Sequence, residues 1–330
     1  MCTAISITLK DNYFGRTLDY EQSFGEKITI TPRNYCFKFT NGEVLKTHYA
    51  IIGMAVVHEN YPLYFDATNE MGLSAAGLNF PDYAVYRKRA DNKENIASFE
   101  FIAWVLSRFC SVDEAQREIE GINITDAAFC EKLPPSPLHW LISDKSKSIT
   151  VEQTESGLKV YENTVGVLTN SPPFDYQMTN LVNFLSITSK TPQNEFSDKI
   201  DLMPYSRGMG AIGLPGDYSS ASRFVRACFV KLNCVFETKE QEIINQFFYI
   251  LHSVYLNKGY VSVGEAFAVT NYISCCNTDK GIYYYTTYNR NRINAVDMHR
   301  ENLESNNLIQ YELLKSDDII IVNKNIKSNL

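Results

Sequence analysis

The feature that most restricts the fold of this chain is the way its strand-like segments come in groups. Residues Thr3 to Leu9 alternate polar and apolar side chains, and a second run, Tyr13 to Leu18, follows the turn residues Lys10-Asp11-Asn12. Lys27 to Thr31 alternates again. A period of two sends successive side chains to opposite faces, so these runs describe strands with one buried face. Tyr49 to Val57 is nearly continuous in apolar residues and suits a fully buried strand. Leu73 to Phe80 adds another, whose small residues Ser74, Ala75, Ala76 and Gly77 permit close approach.

Helical spacing appears only afterwards. From Ser98, the residues Phe99, Ile102, Val105, Leu106 and Phe109 recur on one face. Ser111-Val112-Asp113-Glu114 announces a second helix through a capping box, with Ser111 and Glu114 satisfying each other's free amides. Strand patterns return at Leu138–Ser143 and Ile149–Gln153, after Pro134-Pro135-Ser136-Pro137. Further helices are expected at Phe174–Leu185, Ser220–Leu232 and Glu240–Leu256, the last with a core face of Ile244, Phe247, Phe248, Leu251 and Tyr255. Thr270–Cys275, Ile282–Tyr288 and Asp318–Val322 then read as strands. Strands and helices in blocks, without strict alternation, predict an α+β fold of antiparallel sheets covered by helices. With no repeat and no linker, one continuous domain over residues 1–330 is the expectation.

Charge and composition exclude several functions. The net charge is −7 and the basic residues are dispersed, which argues against a nucleic-acid partner. The run Arg87-Lys88-Arg89 reads as a solvated face. No stretch of about 18 apolar residues occurs, so no membrane span is expected. The opening residues lack a basic leader and a long apolar core, and a cytoplasmic location is expected. The eight cysteines follow no zinc spacing, and a reducing compartment keeps them as thiols. For all but Cys2 the simple reading is a small buried apolar side chain.

Cys2 differs because of its position. Removal of Met1 would place a thiol and an α-amine on one residue. An α-amine has a pKa of about 7.7–8.0, low enough to serve as a base near neutrality. Such a thiol can attack an amide carbonyl without a separate histidine. Arg16 and Asp19, in Phe14-Gly15-Arg16-Thr17-Leu18-Asp19, lie on the strand expected to pair with the first. A cation near the thiol favours the thiolate and a carboxylate can orient the amine, although a surface ion pair fits the same residues. Asn79, in Gly77-Leu78-Asn79-Phe80-Pro81, and Asn170, in Leu168-Thr169-Asn170-Ser171-Pro172, fit turn chemistry or donation to an oxyanion. Arg223, near the start of the expected helix after Gly213-Leu214-Pro215-Gly216-Asp217, opposes the helix dipole, a local cost that hints at a role elsewhere. The five histidines show no zinc-hydrolase spacing, and no Gly-x-Ser-x-Gly elbow or glycine-rich phosphate loop occurs. His139 beside Trp140 reads as a core residue.

Taken together, Met1-Cys2-Thr3, Phe14-Gly15-Arg16 with Asp19, the Asn79 and Asn170 segments and Gly213 to Arg223 closely resemble the choloylglycine hydrolase family. Leu138-His139-Trp140, Val151-Glu152-Gln153-Thr154 and Lys280-Gly281-Ile282-Tyr283-Tyr284-Tyr285 are similar to it too, and the likeness runs in order along nearly the whole chain. The resemblance implies a four-layer αββα sandwich of the N-terminal-nucleophile hydrolase type, commonly a homotetramer, with bile salt hydrolases and penicillin V acylases as its main activities. It implies Cys2 as nucleophile, its α-amine as proton shuttle, Arg16 beside the thiol, Asp19 anchoring the amine, Asn79 and Asn170 as the oxyanion site, and Arg223 holding the charge network. Asn at 79, where the typical penicillin V acylase carries Tyr, favours the bile salt branch. The implied substrates are glycine- and taurine-conjugated bile salts, cleaved through a thioester with no cofactor and no metal, in a bacterial cytoplasm. Leu18, Phe65, Phe129 and Leu133, placed in loops, are candidates for the apolar wall a steroid needs. Arg207, in Tyr205-Ser206-Arg207-Gly208, could meet the leaving group's anion. A penicillin V acylase and a non-catalytic steroid-binding protein are the alternatives.

Overall fold

The turn at Lys10 and Asp11 folds the strands Cys2–Thr8 and Asn12–Tyr20 into an antiparallel hairpin, pairing Cys2 with Leu18 and Ala4 with Arg16. The other neighbour of Asn12–Tyr20 is Ala266–Asn277, from far along the chain. In the computed structural model, which describes residues 1–316, these strands belong to a seven-stranded sheet. Its order is Val167–Leu168, Cys2–Thr8, Asn12–Tyr20, Ala266–Asn277, Ile282–Thr287 and Arg290–Asp297, with Val261–Val263 paired to Ala266–Asn277. A second sheet of eight strands runs Gly157–Glu162, Ser148–Thr154, Leu138–Ser143, Ser74–Asn79, Tyr61–Asn69, Ile51–His58, Lys27–Thr31 and Ile309–Tyr311. All pairings in both sheets are antiparallel.

The sheets face one another, with Cys2–Thr8 and Asn12–Tyr20 against Ser74–Asn79. Outside the eight-stranded sheet lie α1 (Phe101–Arg108), over Tyr61–Asn69 and Ser74–Asn79, and α2 (Val112–Ile119), over Ser148–Thr154. Beyond the seven-stranded sheet lie α3 (Phe174–Leu181), α4 (Ser220–Asn233) and α5 (Glu240–His252). The result is the αββα sandwich that the family resemblance implies, with the antiparallel sheets and covering helices that the sequence pattern predicts. Period-two alternation gives each strand two usable faces, and here both are covered. One apolar core fills the space between the sheets and under α4 and α5, and a second lies under α1 and α2. Ile244, Phe247, Phe248 and Leu251 of α5 are all buried, each worth about 1.5–3 kcal/mol of transfer from water. No helix of the described residues is long and apolar enough to cross a membrane.

Several local expectations change. Leu18 and Phe65 lie within strands, not loops: ladder pairing carries Asn12–Tyr20 past Leu18, and Phe65 is the extra residue of a bulge in Tyr61–Asn69 opposite Met54 and Ala55. The strand Tyr61–Asn69 escaped detection because Pro62 and Asp66 break its apolar pattern. The capping box of α2 is half formed: Ser111 Oγ accepts from Glu114 N at 3.3 Å, while Glu114 Oε2 turns to Cys110 N at 2.9 Å. Helices α3 and α5 stop at Leu181 and His252, short of the expected ends, with a 3-10 turn continuing α3 over Val182–Phe184. Asp318–Val322 lies outside the described residues. Of the cysteines read as buried, Cys228, Cys275 and Cys276 are, Cys110, Cys130 and Cys234 are half-buried, and Cys36 is exposed.

Gly15 controls how closely Asn12–Tyr20 approaches Ala266–Asn277, because a Cβ there would lie 2.0 Å from Ser274 O. Gly15→Ala should therefore force the two central strands apart and destabilise the fold by at least the ~1–3 kcal/mol typical of overpacking. Urea unfolding measures it, and a change below half a kilocalorie would show that the approach is not constrained.

Candidate active site

Strand alternation sorts the candidate residues between two faces of the hairpin. Cys2, Ala4, Arg16 and Leu18 share one face, and Thr3, Thr17 and Asp19 share the other. The first face meets the second sheet. Arg16 is 1% exposed, and its Nη1 donates to Phe65 O at 2.9 Å and Gly77 O at 2.5 Å, while its Nε donates to Thr17 O. The bulge at Phe65 and the small residue Gly77 bring those carbonyls within reach. Burial pulls the Arg16 pKa down, but the nearby Cys2, Tyr272, Asp66 and Asp19 outweigh it, and the guanidinium stays charged.

Asp66 supplies a second buried charge on this interface. Tyr272 Oη donates to its Oδ1 at 2.7 Å, and Ser274 Oγ and Tyr283 Oη donate to Oδ2 at 2.9 and 2.7 Å. Burial raises the Asp66 pKa, opposed by Arg16 and the three hydroxyls. Three hydroxyls from one sheet therefore close on a carboxylate from the other.

The opposite face meets α4. Ser219 caps that helix through its Oγ on Ser222 N, and Arg223 sits one turn in. Its guanidinium runs back across the helix start and is fully buried. Nε donates to Tyr218 O at 3.0 Å, Nη1 to Cys2 O at 2.5 Å and Thr3 Oγ1 at 2.8 Å, and Nη2 to Asn170 Oδ1 at 2.7 Å. Asn170 Oδ1 also accepts from Cys2 N at 2.8 Å, and Asn170 Nδ2 donates to Asn79 O at 2.7 Å. With two donors at Oδ1 and a carbonyl at Nδ2, the orientation of the amide is fixed by its partners. Burial lowers the Arg223 pKa, opposed by Asp19 and Cys2.

Asp19 is fully buried between hydroxyls: Thr270 Oγ1 donates to Oδ1 at 2.6 Å and Thr17 Oγ1 to Oδ2 at 2.9 Å. Burial raises its pKa, against the pull of Arg223, the N-terminus and those two hydroxyls. Its backbone pairs with Met1, Asp19 N donating to Met1 O at 2.9 Å and the Met1 ammonium donating to Asp19 O at 2.5 Å. The nitrogen of Cys2 thus meets Asn170 Oδ1, and the Asp19 carboxylate lies on the threonine side of the same strand end.

The structure brings Cys2, Arg16, Asp19, Asn170 and Arg223 together, with Asn79 joined through its carbonyl and its side chain exposed. Leu18, buried, pairs with Cys2, and Phe65 packs on Phe24, which packs at a tilt on Tyr20. Phe129 sits in a separate aromatic group with His58, Tyr61 and Phe99, in a small loop where its amide donates to Leu133 O. Arg207 lies on an exposed arm before a 3-10 turn at Met209–Ala211. Sequence reasoning missed Thr17, Thr270, Asp66, Tyr272 and Ser220, whose Oγ accepts from Asn170 N at 2.8 Å. None of these carried a signal: hydroxyls are common in strands, and Asp66 lies in a strand that its own charge helped to hide. Burial pushes the thiols of Cys228 and Cys276 up to about 12, so these are inert at neutrality.

A cysteine at the end of the central hairpin, in two facing antiparallel sheets between helices, defines an N-terminal-nucleophile hydrolase architecture. Residues 2–311 match the model of the linear amide C–N hydrolases, choloylglycine hydrolase family. The chain is 51% identical to a bile salt hydrolase/transferase of Lactiplantibacillus plantarum, over 98% of this chain and all of that protein. It is similar to a crystal structure of a variant conjugated bile acid hydrolase from Clostridium perfringens, with a TM-score of 0.90 at 40% identity over 98% of this chain and all of that one. A penicillin V acylase from Agrobacterium tumefaciens shares the fold, with a TM-score of 0.75 at 20% identity, over 94% of this chain and 91% of that one. The chain belongs to the choloylglycine hydrolase family.

Arg223→Met should cost about 3–5 kcal/mol, because it strands buried acceptors and the Asp19 charge. Adding Asp19→Asn should return part of that loss, with a coupling of about 0.5–3 kcal/mol in a double-mutant cycle by urea unfolding. Strict additivity would show that the two charges do not sense each other.

Proposed function

We propose that this protein is a bile salt hydrolase, cleaving the amide that joins a bile acid to glycine or taurine. The observation that carries the reading is the arrangement at Cys2: its nitrogen rests on Asn170 Oδ1, which Arg223 grips from the other side. The substrate class follows from the bile salt hydrolase/transferase named above, which matches along its whole length.

In this reading Met1 is removed, and the Cys2 nitrogen becomes a free α-amine beside its own thiol. The amine takes the thiol proton as sulfur attacks the substrate carbonyl, and the carbonyl oxygen becomes an oxyanion. One Asn170 Nδ2 hydrogen already serves Asn79 O, leaving the second, with the exposed Asn79 amide, to meet that charge. The amine then passes its proton to the departing nitrogen, and glycine or taurine leaves. Water, deprotonated by the same amine, attacks the thioester and releases the bile acid and the free thiol. Arg16, buried on the thiol's face of the strand, sets a positive charge beside the reacting sulfur, and Asp19 balances Arg223 behind the strand. Leu18 and Phe65 supply one side of the steroid wall, with Phe129 and Leu133 added from a loop of their own. Arg207 meets the leaving group's anion.

The same reading includes a homo-oligomer, a tetramer by family resemblance, in the bacterial cytoplasm. The arm around Arg207 leaves Leu185, Phe196, Met203 and Tyr205 at least four-fifths exposed, an apolar surface suited to cover by another copy.

Taurocholate and glycocholate, incubated with protein whose N-terminus has been verified by mass spectrometry, should each be hydrolysed, and Cys2→Ala should abolish release. No release from a Met1-free chain, with turnover of penicillin V instead, would move the assignment to an acylase. Arg207→Ala should lower turnover of taurine conjugates more than of glycine conjugates. Equal losses would remove Arg207 from the leaving-group site.

A further inference from the structure

His139, Glu152 and Thr169 are each fully buried, yet none belongs to the site described so far. Pairing of Val167–Leu168 with the first strand ends at Leu168 opposite Ala4, so Thr169 O lies past the ladder. His139 Nε2 lies 3.0 Å from that carbonyl, and Nδ1 lies 3.0 Å from Glu152 Oε1. Glu152 Oε1 also accepts from Phe174 N, the first residue of α3, at 3.0 Å. The His139 ring stacks on Phe80, with centroids 4.2 Å apart and planes 8° from parallel. Phe80 follows Asn79, and Thr169 precedes Asn170.

The hydrogen positions follow from the partners. A carbonyl only accepts, so Nε2 carries a hydrogen. Glu152 Oε1 at Nδ1 and the Thr169 carbonyl at Nε2 together hold the ring in one orientation. An apolar pair would fill this space at no desolvation cost, so a buried histidine and glutamate are expensive unless they hold something in place. What they hold is the start of the Asn170 turn on one side and the end of the Asn79 strand on the other. Ser220 clamps the same turn from α4, its Oγ accepting from Asn170 N at 2.8 Å and lying 2.9 Å from Thr169 Oγ1.

We propose that His139 is a positioning residue: oriented by Glu152, it fixes the Asn79 and Asn170 segments relative to each other, and so sets the oxyanion site of the amidase. The catalytic part of this inference rests on the function proposed above. The positioning part does not, and the experiment separates them.

His139→Leu keeps the bulk but removes the donor to Thr169 O, whereas His139→Gln returns an N–H close to the place of Nε2. Hydrogen exchange should rise in peptides spanning residues 78–83 and 168–174 of His139→Leu, with the first strand staying protected, and His139→Gln should reverse most of that rise. On taurocholate, His139→Leu should lose about 10- to 100-fold in kcat, the scale of a misplaced reacting group, with KM within about twofold. Alkylation of Cys2 by iodoacetamide should keep its wild-type rate, because the thiol itself is untouched. If the leucine variant does not fold, Glu152→Gln makes the same test, since it keeps an acceptor for Phe174 N but removes the carboxylate that faces His139 Nδ1.

Unchanged exchange in both segments would overturn the positioning role. Exchange that rises without a fall in kcat, or a fall in kcat matched by an equal fall in Cys2 alkylation, would overturn the link to the oxyanion site. A wild-type protein that hydrolyses no conjugate would sink the functional reading alone, leaving the exchange comparison to decide the role of His139.

Discussion

The guanidinium of Arg223 is the group on which the rest of this site depends. It is a cation in the first turn of a helix, where the helix dipole repels it, and it is buried, where desolvation penalises it. Both costs are offset by four acceptors at fixed angles: Tyr218 O, Cys2 O, Thr3 Oγ1 and Asn170 Oδ1. A planar fork of donors can satisfy these together, which an ammonium cannot. By holding Cys2 O and Asn170 Oδ1 at once, Arg223 places the strand end and the turn that meets it in one geometry. The helix, the first strand and the turn after Leu168 therefore become one rigid unit.

A second cation, Arg16, does the corresponding work on the other face of the same hairpin. The two arginines lie on opposite sides of one sheet, and each has a buried carboxylate in its field, Asp66 for Arg16 and Asp19 for Arg223. Neither carboxylate makes a direct ion pair among the described residues; each is instead wrapped in hydroxyls, from Tyr272, Ser274 and Tyr283 for Asp66 and from Thr17 and Thr270 for Asp19. This keeps every oxygen satisfied while the charges act through space. The consequence is a strand end with a fixed cation on each face, a suitable setting for an oxyanion that develops close by.

Chain topology explains why such distant residues meet. The hairpin of residues 2–20 is local, but its other neighbour is Ala266–Asn277, and the turn that receives Cys2 N begins at Thr169. Antiparallel pairing allows any two strands to be adjacent if the loops are long enough, so the site is assembled from the start, the middle and the end of the chain. Burial on both faces of each sheet then locks the register, because a slip by one residue would move Arg16 to the helix side and Asp19 to the sheet interface.

Much of this was written in the sequence. Alternation over Thr3–Leu9, the turn and the run Tyr13–Leu18 set the hairpin, the apolar faces set α1 and α5, and the residues Cys2, Arg16, Asp19, Asn170 and Arg223 stood out by position or by an unfavourable local setting. Alternation also implied that Arg16 and Asp19, three residues apart, face opposite ways, although their roles depend on which face meets a sheet and which meets a helix. That choice was made only by the tertiary structure, as were the Phe65 bulge, the hydroxyl shells of Asp19 and Asp66, and the contact of Asn170 with Cys2 N. Local sequence records the period and chemistry of each segment, which fix what it can form and what it can bury. It does not record which segments become neighbours, because in an antiparallel sandwich that is decided by the joint burial of all the faces at once.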